Sequence, residues 1–269
     1  MKPSRPLSLI TGASSGIGAT FARQLAALGH DLVLTARRTE RLKNLATELD
    51  KEHGTHVTVL PHDLTDAAAP RWLCDEMEKR GLQVDWLINN AGYGVPGTFD
   101  FNEWTTHADF LQVLLTAPTE LAYRFLPGMR QRGYGRIINV ASLAGHVPAP
   151  PGHTLYAPTK AYLIKFSQAL ALENRHLGVN VCALCPGFTR SEFHDVTRTR
   201  DKMDKLPGFM WLTSEEVVRQ GIAAAERGDP VYIPGRVNRL IKSTIQLMPD
   251  KLALYLSARQ AKRYRNTQI

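Results

Sequence analysis

Short apolar runs alternate with longer amphipathic stretches along most of the chain. The runs predict seven strands, at residues 7–10, 31–36, 56–60, 84–88, 136–140, 179–184 and 230–233. Several are apolar from end to end, which is typical of strands in a parallel sheet that helices cover on both faces. The stretches between them have helical periodicity and predict helices at 16–28, 39–53, 67–80, 103–132, 153–177 and 214–227. This alternation predicts a single doubly wound α/β domain.

The last part of the chain has a different pattern. Apolar residues recur there at helical spacing up to Pro249, and a second helical stretch follows at 251–264; the first group comprises Val237, Leu240, Ile241, Thr244, Ile245 and Met248. Eight basic residues and one acidic residue lie between 236 and 269, so this segment carries +7 of the formal net charge of +8. We therefore expect an α/β domain at 1–235 and a basic amphipathic helical C-terminal extension at 236–269.

Composition and charge restrict the classes of function. No apolar run approaches the ~20 residues that a membrane-spanning helix needs, and the N-terminal apolar stretch is too short for a signal peptide, so we expect a cytoplasmic location. The basic residues lack a recognition motif for nucleic acid, so no such partner is expected. The basic extension suits either peripheral contact with an anionic membrane or packing on the protein's own body or a dimer partner. Its narrow apolar stripe favours packing.

A glycine-rich segment joins the first predicted strand to the first predicted helix, in the sequence Thr11-Gly12-Ala13-Ser14-Ser15-Gly16-Ile17-Gly18. Gly12 permits a tight turn, Gly16 lets the backbone approach a pyrophosphate, and Gly18 lets the helix pack closely on the strand. The N–H groups at the start of the helix would hold the phosphates. An ordinary glycine-rich turn is the alternative, but the position between a strand and a helix favours dinucleotide binding. We expect cofactor contacts from Gly12, Ser14, Ser15, Gly16, Ile17 and Gly18.

The spacing of these glycines resembles the TGxxxGxG cofactor loop of the short-chain dehydrogenases/reductases, and the resemblance extends in register over residues 7–235. It implies a Rossmann-like domain with a seven-stranded parallel sheet in the order 3-2-1-4-5-6-7, and an oxidoreductase that uses a nicotinamide cofactor. Asn89-Asn90-Ala91-Gly92 matches the family's NNAG motif. The resemblance implies that the adenosine side is lined by Asn90, Ala91, Gly92, Asp63 and Leu64.

Two arginines follow the second strand, where NAD-preferring enzymes carry an acid that binds the ribose 2′-hydroxyl. Here Arg37 and Arg38 occupy this place, and no acid appears before Glu40. Guanidinium groups suit a 2′-phosphate. A solvated helix start is the alternative, but cations at a helix N-terminus oppose the dipole and need another reason. We therefore expect NADP(H) as the cofactor.

Reaction at a carbonyl carbon needs an acid/base for the oxygen and a group that polarises it. Tyr156 and Lys160 are four residues apart on a predicted helix and so share a face, and Lys⁺ favours the phenolate. Ser142 follows the fifth strand, at the sheet edge where ligands of such folds bind. The arrangement is similar to the family's Ser–Tyr–Lys constellation, which implies that Ser142 holds the substrate oxygen, Tyr156 exchanges its proton and Lys160 holds the nicotinamide ribose.

The nicotinamide and substrate sides follow the sixth strand. Pro186, Gly187, Thr189 and Ser191 resemble the family's nicotinamide segment. Residues 192–212 hold several apolar side chains between charged residues and predict a substrate lid. Substrate contacts are expected from Tyr93, Leu143, His146, His153 and Phe188, and an apolar carbonyl or alcohol is the expected substrate.

No metal site is expected. Cys182 and Cys185 form a Cys-x-x-Cys, but residues three apart on a strand point to opposite faces and cannot easily share a metal. His146 and His153 lack a neighbouring carboxylate or cysteine.

One position departs from the family. Leu114 stands where many members carry an asparagine that distorts a helix and anchors a water leading to the catalytic lysine, and a leucine side chain cannot hold that water. The sequence therefore leaves two hypotheses open. One is an NADPH-dependent carbonyl reductase or alcohol dehydrogenase that forms a homodimer or homotetramer through the long helices at 103–132 and 153–177. The other is an NADP(H)-binding regulator with weak or no catalysis.

Overall fold

A parallel sheet forms the centre of the computed structural model, which describes residues 3–190 and 207–264, with side chains described as far as Arg259. Seven strands lie side by side in the order β3-β2-β1-β4-β5-β6-β9, and every neighbouring pair is parallel. The predicted fold class and strand order are therefore confirmed, with β9 as the seventh strand of the sheet. The strands are β1 (Leu7–Thr11), β2 (Asp31–Thr35), β3 (Val57–Val59), β4 (Trp86–Asn89), β5 (Gly135–Val140), β6 (Val179–Leu184), β7 (Thr189–Arg190), β8 (Leu212–Thr213) and β9 (Val231–Tyr232).

Helices cover both faces of this sheet, as the apolar strands require. They are α1 (Gly16–Ala27), α2 (Thr39–His53), α3 (Ala69–Lys79), α4 (Trp104–Leu111), α5 (Ala117–Arg132), α6 (Tyr156–Asn174), α7 (Ser214–Arg227), α8 (Arg236–Leu247) and α9 (Asp250–Tyr264). Residues of α1, α2 and α7 share one buried apolar cluster with strand residues, whereas residues of α3, α4, α5 and α6 share another. Burial of these two layers from water is the main source of stability.

The helix predicted at 103–132 is interrupted. A π-helical turn, Gln112–Thr116, separates α4 from α5. The N–H of Ala117 donates to the carbonyl of Gln112, five residues back, and Pro118 has no N–H to donate to Leu114. Proline at this place explains why the regular hydrogen-bond pattern fails here.

The strands β7 and β8 were not predicted. These two-residue strands pair with each other outside the main sheet, through Thr189 with Leu212 and Arg190 with Thr213. Such short pairs have no recognisable hydrophobic period. The helix predicted to begin at 153 begins at Tyr156.

The C-terminal helices pack on the α/β domain. Asn238 is buried, donates to the carbonyl of Pro234, and lies so close to Gly187 that a Cβ at that glycine would collide with it. In α9, Ala253 is buried and the hydroxyl of Ser257 donates to the carbonyl of Pro148 over 2.9 Å. Among the described residues, no helix is long and apolar enough to cross a membrane.

A chain of buried amides crosses the sheet beneath the site described below. Asn89 and Asn139 pair in register on β4 and β5, and the amide of Asn89 donates to Asn139 over 2.8 Å and to the carbonyl of Pro118 over 3.1 Å. Asn139 in turn donates to Ser167 over 2.9 Å, and Ser167 donates to the carbonyl of Leu163. This chain connects α5 to α6 along one face of the sheet.

Replacing the central amide tests that connection. Asn139→Ala removes two buried side-chain hydrogen bonds, and we expect the free energy of unfolding to fall by about 2–4 kcal/mol. Urea unfolding of both proteins measures the difference. Asn44→Ala, at an exposed position of α2, is the control and should change stability by no more than about 0.5 kcal/mol. A loss for Asn139→Ala as small as that of the control would contradict the role of the amide chain.

Candidate active site

The glycine-rich segment forms a turn that a larger residue could not make. Gly12 has φ +66°, a conformation that disfavours side chains, and a Cβ there would lie 2.8 Å from the Cα of Ala91. Gly16 also has a positive φ. A Cβ on Gly18 would collide with the carbonyl oxygen of Gly12. The start of α1 therefore lies directly against the end of β1, as the glycine pattern predicts.

Two polar side chains hold this turn against the end of β4. The hydroxyl of Thr11 accepts the N–H groups of Asn90 and Ala91, each over 3.0 Å. The side-chain amide of Asn90 donates to the carbonyls of Thr11 and Gly12 over 2.9 and 3.2 Å. Asn90 and Ala91, predicted to line the adenosine side, thus also fix the shape of the glycine turn.

Arg38 lies over the glycine turn. Its guanidinium donates to the hydroxyls of Ser14 and Ser15, over 3.1 and 2.6 Å. Arg37 points instead toward Asp63, with 3.9 Å between the guanidinium and the carboxylate, and both side chains are largely exposed. The structure therefore brings Arg38 together with Ser14 and Ser15, and Arg37 together with Asp63. One cation lies above the glycine turn and a second lies beside Asp63.

Lys160 is buried where α6 meets the end of β5. Its ammonium group donates to the carbonyl of Val140 over 2.8 Å and lies 5.6 Å from the centre of the Tyr156 ring. Burial lowers the pKa of Lys160 to about 8, because the charged form loses its hydration. A small cavity adjoins this lysine and extends to Thr11, Ala91 and Leu114.

Ser142 is held within the same edge of the sheet. It caps a 3₁₀ turn, Leu143–His146, by accepting the N–H of Ala144 over 3.1 Å. That turn packs on α6 so closely that a Cβ at Gly145 would lie 2.7 Å from the main chain of Lys160. The N–H of Leu143 donates to the carbonyl of Pro186, which ties the serine segment to the predicted nicotinamide segment. In that segment, Thr189 is buried and its hydroxyl donates to the carbonyl of Gly187.

Leu114 lies in the π-helical turn described above. Its side chain is buried, lines the cavity beside Lys160 and packs 3.6 Å from the Cβ position of Gly92. Leu64, from the third-strand loop, is also buried at this cavity. The helix is therefore distorted at the family's asparagine position although no asparagine is present, and Pro118 supplies a cause that does not depend on the side chain at 114.

The residues predicted for substrate contact are distributed around this edge. The rings of His153 and Tyr156 are 5.0 Å apart, and Phe188 lies 5.8 Å from Trp211. Leu143 is half-buried in a core cluster with Ala141 and Leu163. Ser191 and lid residues 192–206 lie outside the described residues.

Two other predicted substrate residues have charged surroundings. Burial lowers the pKa of His146, and the positive charges of Lys242 and Lys165 lower it further. Burial raises the pKa of Tyr93 to about 12, with contributions from Asp109 and Asp63. Tyr93 packs edge-on against Phe110, and the negative charge of Asp63 acts on its hydroxyl group. It therefore lies toward the predicted adenosine end. Its substrate role stays a prediction.

The two cysteines of the Cys-x-x-Cys lie in different layers of the core. Cys182 belongs to the cluster with α1, α2 and α7, whereas Cys185 belongs to a third cluster with Leu163 and Ile233. Both are buried free thiols. Within the described ranges, no group of three or more His, Cys, Asp or Glu side chains is arranged to hold a metal ion.

Sequence reasoning missed three groups that shape the site. Thr11 holds the glycine turn, the carbonyl of Val140 holds Lys160, and Asn238 packs on Gly187 from the C-terminal extension. Thr11 has a local signal, because it immediately precedes Gly12. Nothing in the sequence near Asn238 indicates that it meets the predicted nicotinamide segment, because the contact spans about fifty residues.

The residues fit a nicotinamide dinucleotide. The missing side chains at Gly12 and Gly18 let the turn pack tightly between β1, β4 and the start of α1, a guanidinium lies above this turn, and the buried ammonium group of Lys160 lies at the same edge of the sheet. Anions are stabilised at such helix N-termini by exposed N–H groups and the helix dipole.

The buried lysine makes a testable contribution to stability. Because its folded-state pKa lies below the unfolded value of 10.5, the unfolded chain binds more protons above pH 8, and stability rises with pH there. The free energy of unfolding of the wild type minus that of Lys160→Met should increase by about 2 kcal/mol between pH 7 and pH 10. Urea unfolding of both proteins at both pH values measures this difference. Groups that titrate in both proteins contribute equally and cancel. A difference that does not change with pH would contradict the perturbed pKa.

Comparisons with known proteins agree with this geometry. A family model described as short chain dehydrogenase matches residues 7–202. Nodulation protein G from Rhizobium sp. (strain N33) is 35% identical over 235 residues, which cover 85% of this chain and 92% of that protein.

Solved structures with the same architecture include two that are 33% identical to this chain. The bulky-bulky ketone specific alcohol dehydrogenase from Comamonas testosteroni superposes with a TM-score of 0.76, covering 91% of this chain and 94% of that one. A short-chain dehydrogenase from Sphingobium yanoikuyae in complex with NADPH superposes with a TM-score of 0.78, covering 91% and 96%. The sheet order, the glycine turn with its neighbouring residues and these matches lead to one conclusion: the chain belongs to the short-chain dehydrogenase family and is an oxidoreductase of that family.

Proposed function

We propose that the protein is an NADPH-dependent reductase that interconverts an apolar carbonyl compound and its alcohol. The observation that carries this proposal is the convergence of Tyr156, buried Lys160 and the Ser142 segment on the edge of the sheet that also holds the glycine turn. In open α/β sheets, ligands bind at this carboxyl edge.

The cofactor preference rests on Arg38. Its guanidinium is held by Ser14 and Ser15, so it lies over the turn before any ligand binds and loses little conformational entropy on binding. A guanidinium in this place offers charge-assisted hydrogen bonds to a 2′-phosphate, which the ribose of NADH lacks. The NADPH complex of the Sphingobium relative supports the same cofactor for this chain.

The proposed mechanism assigns one task to each polar group. When bound, the nicotinamide supplies or accepts the hydride. In reduction, Tyr156 donates its hydroxyl proton to the substrate oxygen, and in the reverse direction its phenolate removes the proton of the alcohol. Ser142 holds that oxygen by a hydrogen bond, and Lys160 holds the ribose hydroxyls and stabilises the phenolate by its charge.

The proposed substrate is apolar because of the side chains near this edge. Leu143 and the neighbouring pair Phe188 and Trp211 offer apolar surface, and such walls suit a ligand with few polar groups. The Comamonas relative is described as specific for bulky-bulky ketones, which supports a ketone here.

The regulator hypothesis is not favoured. It depends on Leu114, which cannot hold a water by its side chain. The helix is nevertheless distorted at this position, and the cavity reaches Lys160, so the proposed reaction does not require an asparagine to shape the helix.

The protein's partners in this proposal are a small carbonyl or alcohol substrate and a second copy of itself. We propose that a homodimer or homotetramer forms through α5 and α6. Each helix leaves a large apolar side chain exposed, Tyr123 on α5 and Leu172 on α6, which suits an interface.

Removing the cation above the glycine turn tests the cofactor assignment. In Arg38→Ala, the loss of charge-assisted hydrogen bonds should weaken NADPH binding by about 10–100-fold and leave NADH binding almost unchanged. Titration of each cofactor by fluorescence measures both constants. Arg71→Ala removes the same charge from an exposed position on α3 and should leave both dissociation constants unchanged. An unchanged NADPH/NADH ratio in Arg38→Ala would show that Arg38 does not determine the cofactor preference.

Removing the tyrosine hydroxyl tests the catalytic assignment. Tyr156→Phe should lower kcat by about 10²–10⁴-fold in reduction of bulky aromatic ketones, while NADPH binding stays within about threefold of the wild-type value. The matched control is Tyr162→Phe on the same helix, which loses only a hydrogen bond to Thr119 and should keep its activity. Near-normal turnover by Tyr156→Phe would refute this role. Tight NADPH binding by a wild type that turns over no ketone would instead favour the regulator.

A further inference from the structure

The two C-terminal helices, α8 and α9, follow each other with only Met248 and Pro249 between them, and we call this segment the C-terminal hairpin (residues 236–259 where side chains are described). It covers part of the substrate side. Helix α8 contacts the 3₁₀ turn after Ser142 and the segment Gly208–Met210. Helix α9 is fixed to Pro148 by Ser257. The inner side of the hairpin is thus covered by the domain.

Large apolar side chains are exposed on both helices of the hairpin. Six of the fourteen large apolar side chains that are exposed in the described structure lie in these 24 residues: Leu240, Leu247, Leu252, Leu254, Tyr255 and Leu256. Leu240 and Leu247 are seven residues apart on α8 and so share a face, with 67% and 87% of their surface exposed. The half-buried residues of the predicted stripe, such as Ile241 and Ile245, lie beside them and face the domain. Packing on the domain therefore leaves an apolar face uncovered.

The same two helices carry uncompensated positive charge. Arg236, Arg239, Lys242, Lys251 and Arg259 belong to the hairpin, with Asp250 as its one acid. Within the described part of the chain, none of these five cations lies within 4 Å of a carboxylate, although many arginines of the domain are ion-paired. Two copies of this surface would bring like charges together, which costs free energy. Exposed leucines beside unpaired cations match the chemistry of an anionic lipid surface.

We propose that this hairpin is a peripheral membrane-binding surface that inserts Leu240 and Leu247 of α8, together with Leu252, Tyr255 and Leu256 of α9, among the headgroups of an anionic bilayer. Insertion by such helices reaches roughly 5–10 Å, to the boundary of the acyl chains. The cations bind the lipid phosphates at the rim. Membrane-facing residues lie on the outer side, so binding does not require the hairpin to leave the domain.

The position of the hairpin connects this surface to the substrate, a step that rests on the proposed function. Membrane binding brings the segments beside Ser142 and Phe209 to the lipid surface. A carbonyl compound that partitions into the bilayer then reaches the site without crossing water, which agrees with the apolar walls described above.

Co-sedimentation of the full chain with vesicles tests membrane binding without cofactor or substrate. We expect binding to phosphatidylcholine vesicles that contain phosphatidylglycerol, and at least about tenfold weaker binding to pure phosphatidylcholine. Leu240→Gln/Leu247→Gln and Lys251→Gln/Arg259→Gln should each weaken binding to the anionic vesicles at least about tenfold. All four positions are exposed, so folding is preserved, and circular dichroism melting curves check this.

Matched controls carry the same substitutions elsewhere. Leu28→Gln/Leu177→Gln changes two exposed leucines of the domain, and Lys51→Gln/Arg71→Gln removes two exposed charges. Both should bind anionic vesicles as the wild type does. Absence of wild-type binding, or hairpin variants that bind like their controls, would overturn the proposal. If the leucine pair reduces the oligomeric mass in light scattering and leaves vesicle binding unchanged, the surface is instead a contact between copies.

A kinetic measurement separates this proposal from the proposed function. The hairpin variants should keep kcat and KM for a water-soluble ketone and show a raised KM for a long-chain ketone presented in anionic vesicles. If the hairpin variants and the wild type have equal KM values for the vesicle-borne ketone, the delivery step is overturned. Inactivity of the wild type with every ketone would refute the proposed function and leave the vesicle-binding result intact.

Discussion

A buried ammonium group is the constraint on which the site depends. Lys160 is almost removed from water, and its hydrogen bond to Val140 connects the first turns of α6 to the end of β5. Burying a charge costs free energy, and the lowered pKa of this lysine reflects that cost. Functional residues commonly lower stability, which agrees with the role proposed for Lys160 at the site.

The glycine turn lies at the same edge of the sheet as this cation. Thr11 and Asn90 join the ends of β1 and β4 by hydrogen bonds to main-chain groups, and the missing side chains at Gly12 and Gly18 let the segments meet. The turn is consequently shaped before a ligand arrives. A preformed turn avoids the entropy that ordering a loose loop would cost on binding.

Two features of the structure change the interpretation of single residues. Pro118 interrupts the hydrogen bonding of the helix beside Leu114, so the helix is distorted there without an asparagine side chain. Asn238 belongs to the C-terminal extension by sequence but packs against Gly187 of the predicted nicotinamide segment. The extension is thus part of the surroundings of the site, and its outer face is the part that remains to be covered.

The sequence by itself determined the alternation of strands and helices, the glycine turn, and the register that puts Tyr156 and Lys160 on one helical face. These follow from local spacing, because apolar period, glycine position and helical pitch act over a few residues. The interruption of the helix predicted at 103–132 was missed because the apolar periodicity was followed through Pro118, a residue whose missing N–H interrupts the hydrogen bonding of a helix interior. Only the tertiary structure decided that Arg38, rather than Arg37, lies above the turn, since that depends on which neighbours each guanidinium finds. It also decided that the C-terminal stripe divides into a face packed on the domain and an exposed face, because the periodicity of a helix records its apolar side and not how much of that side a neighbour covers.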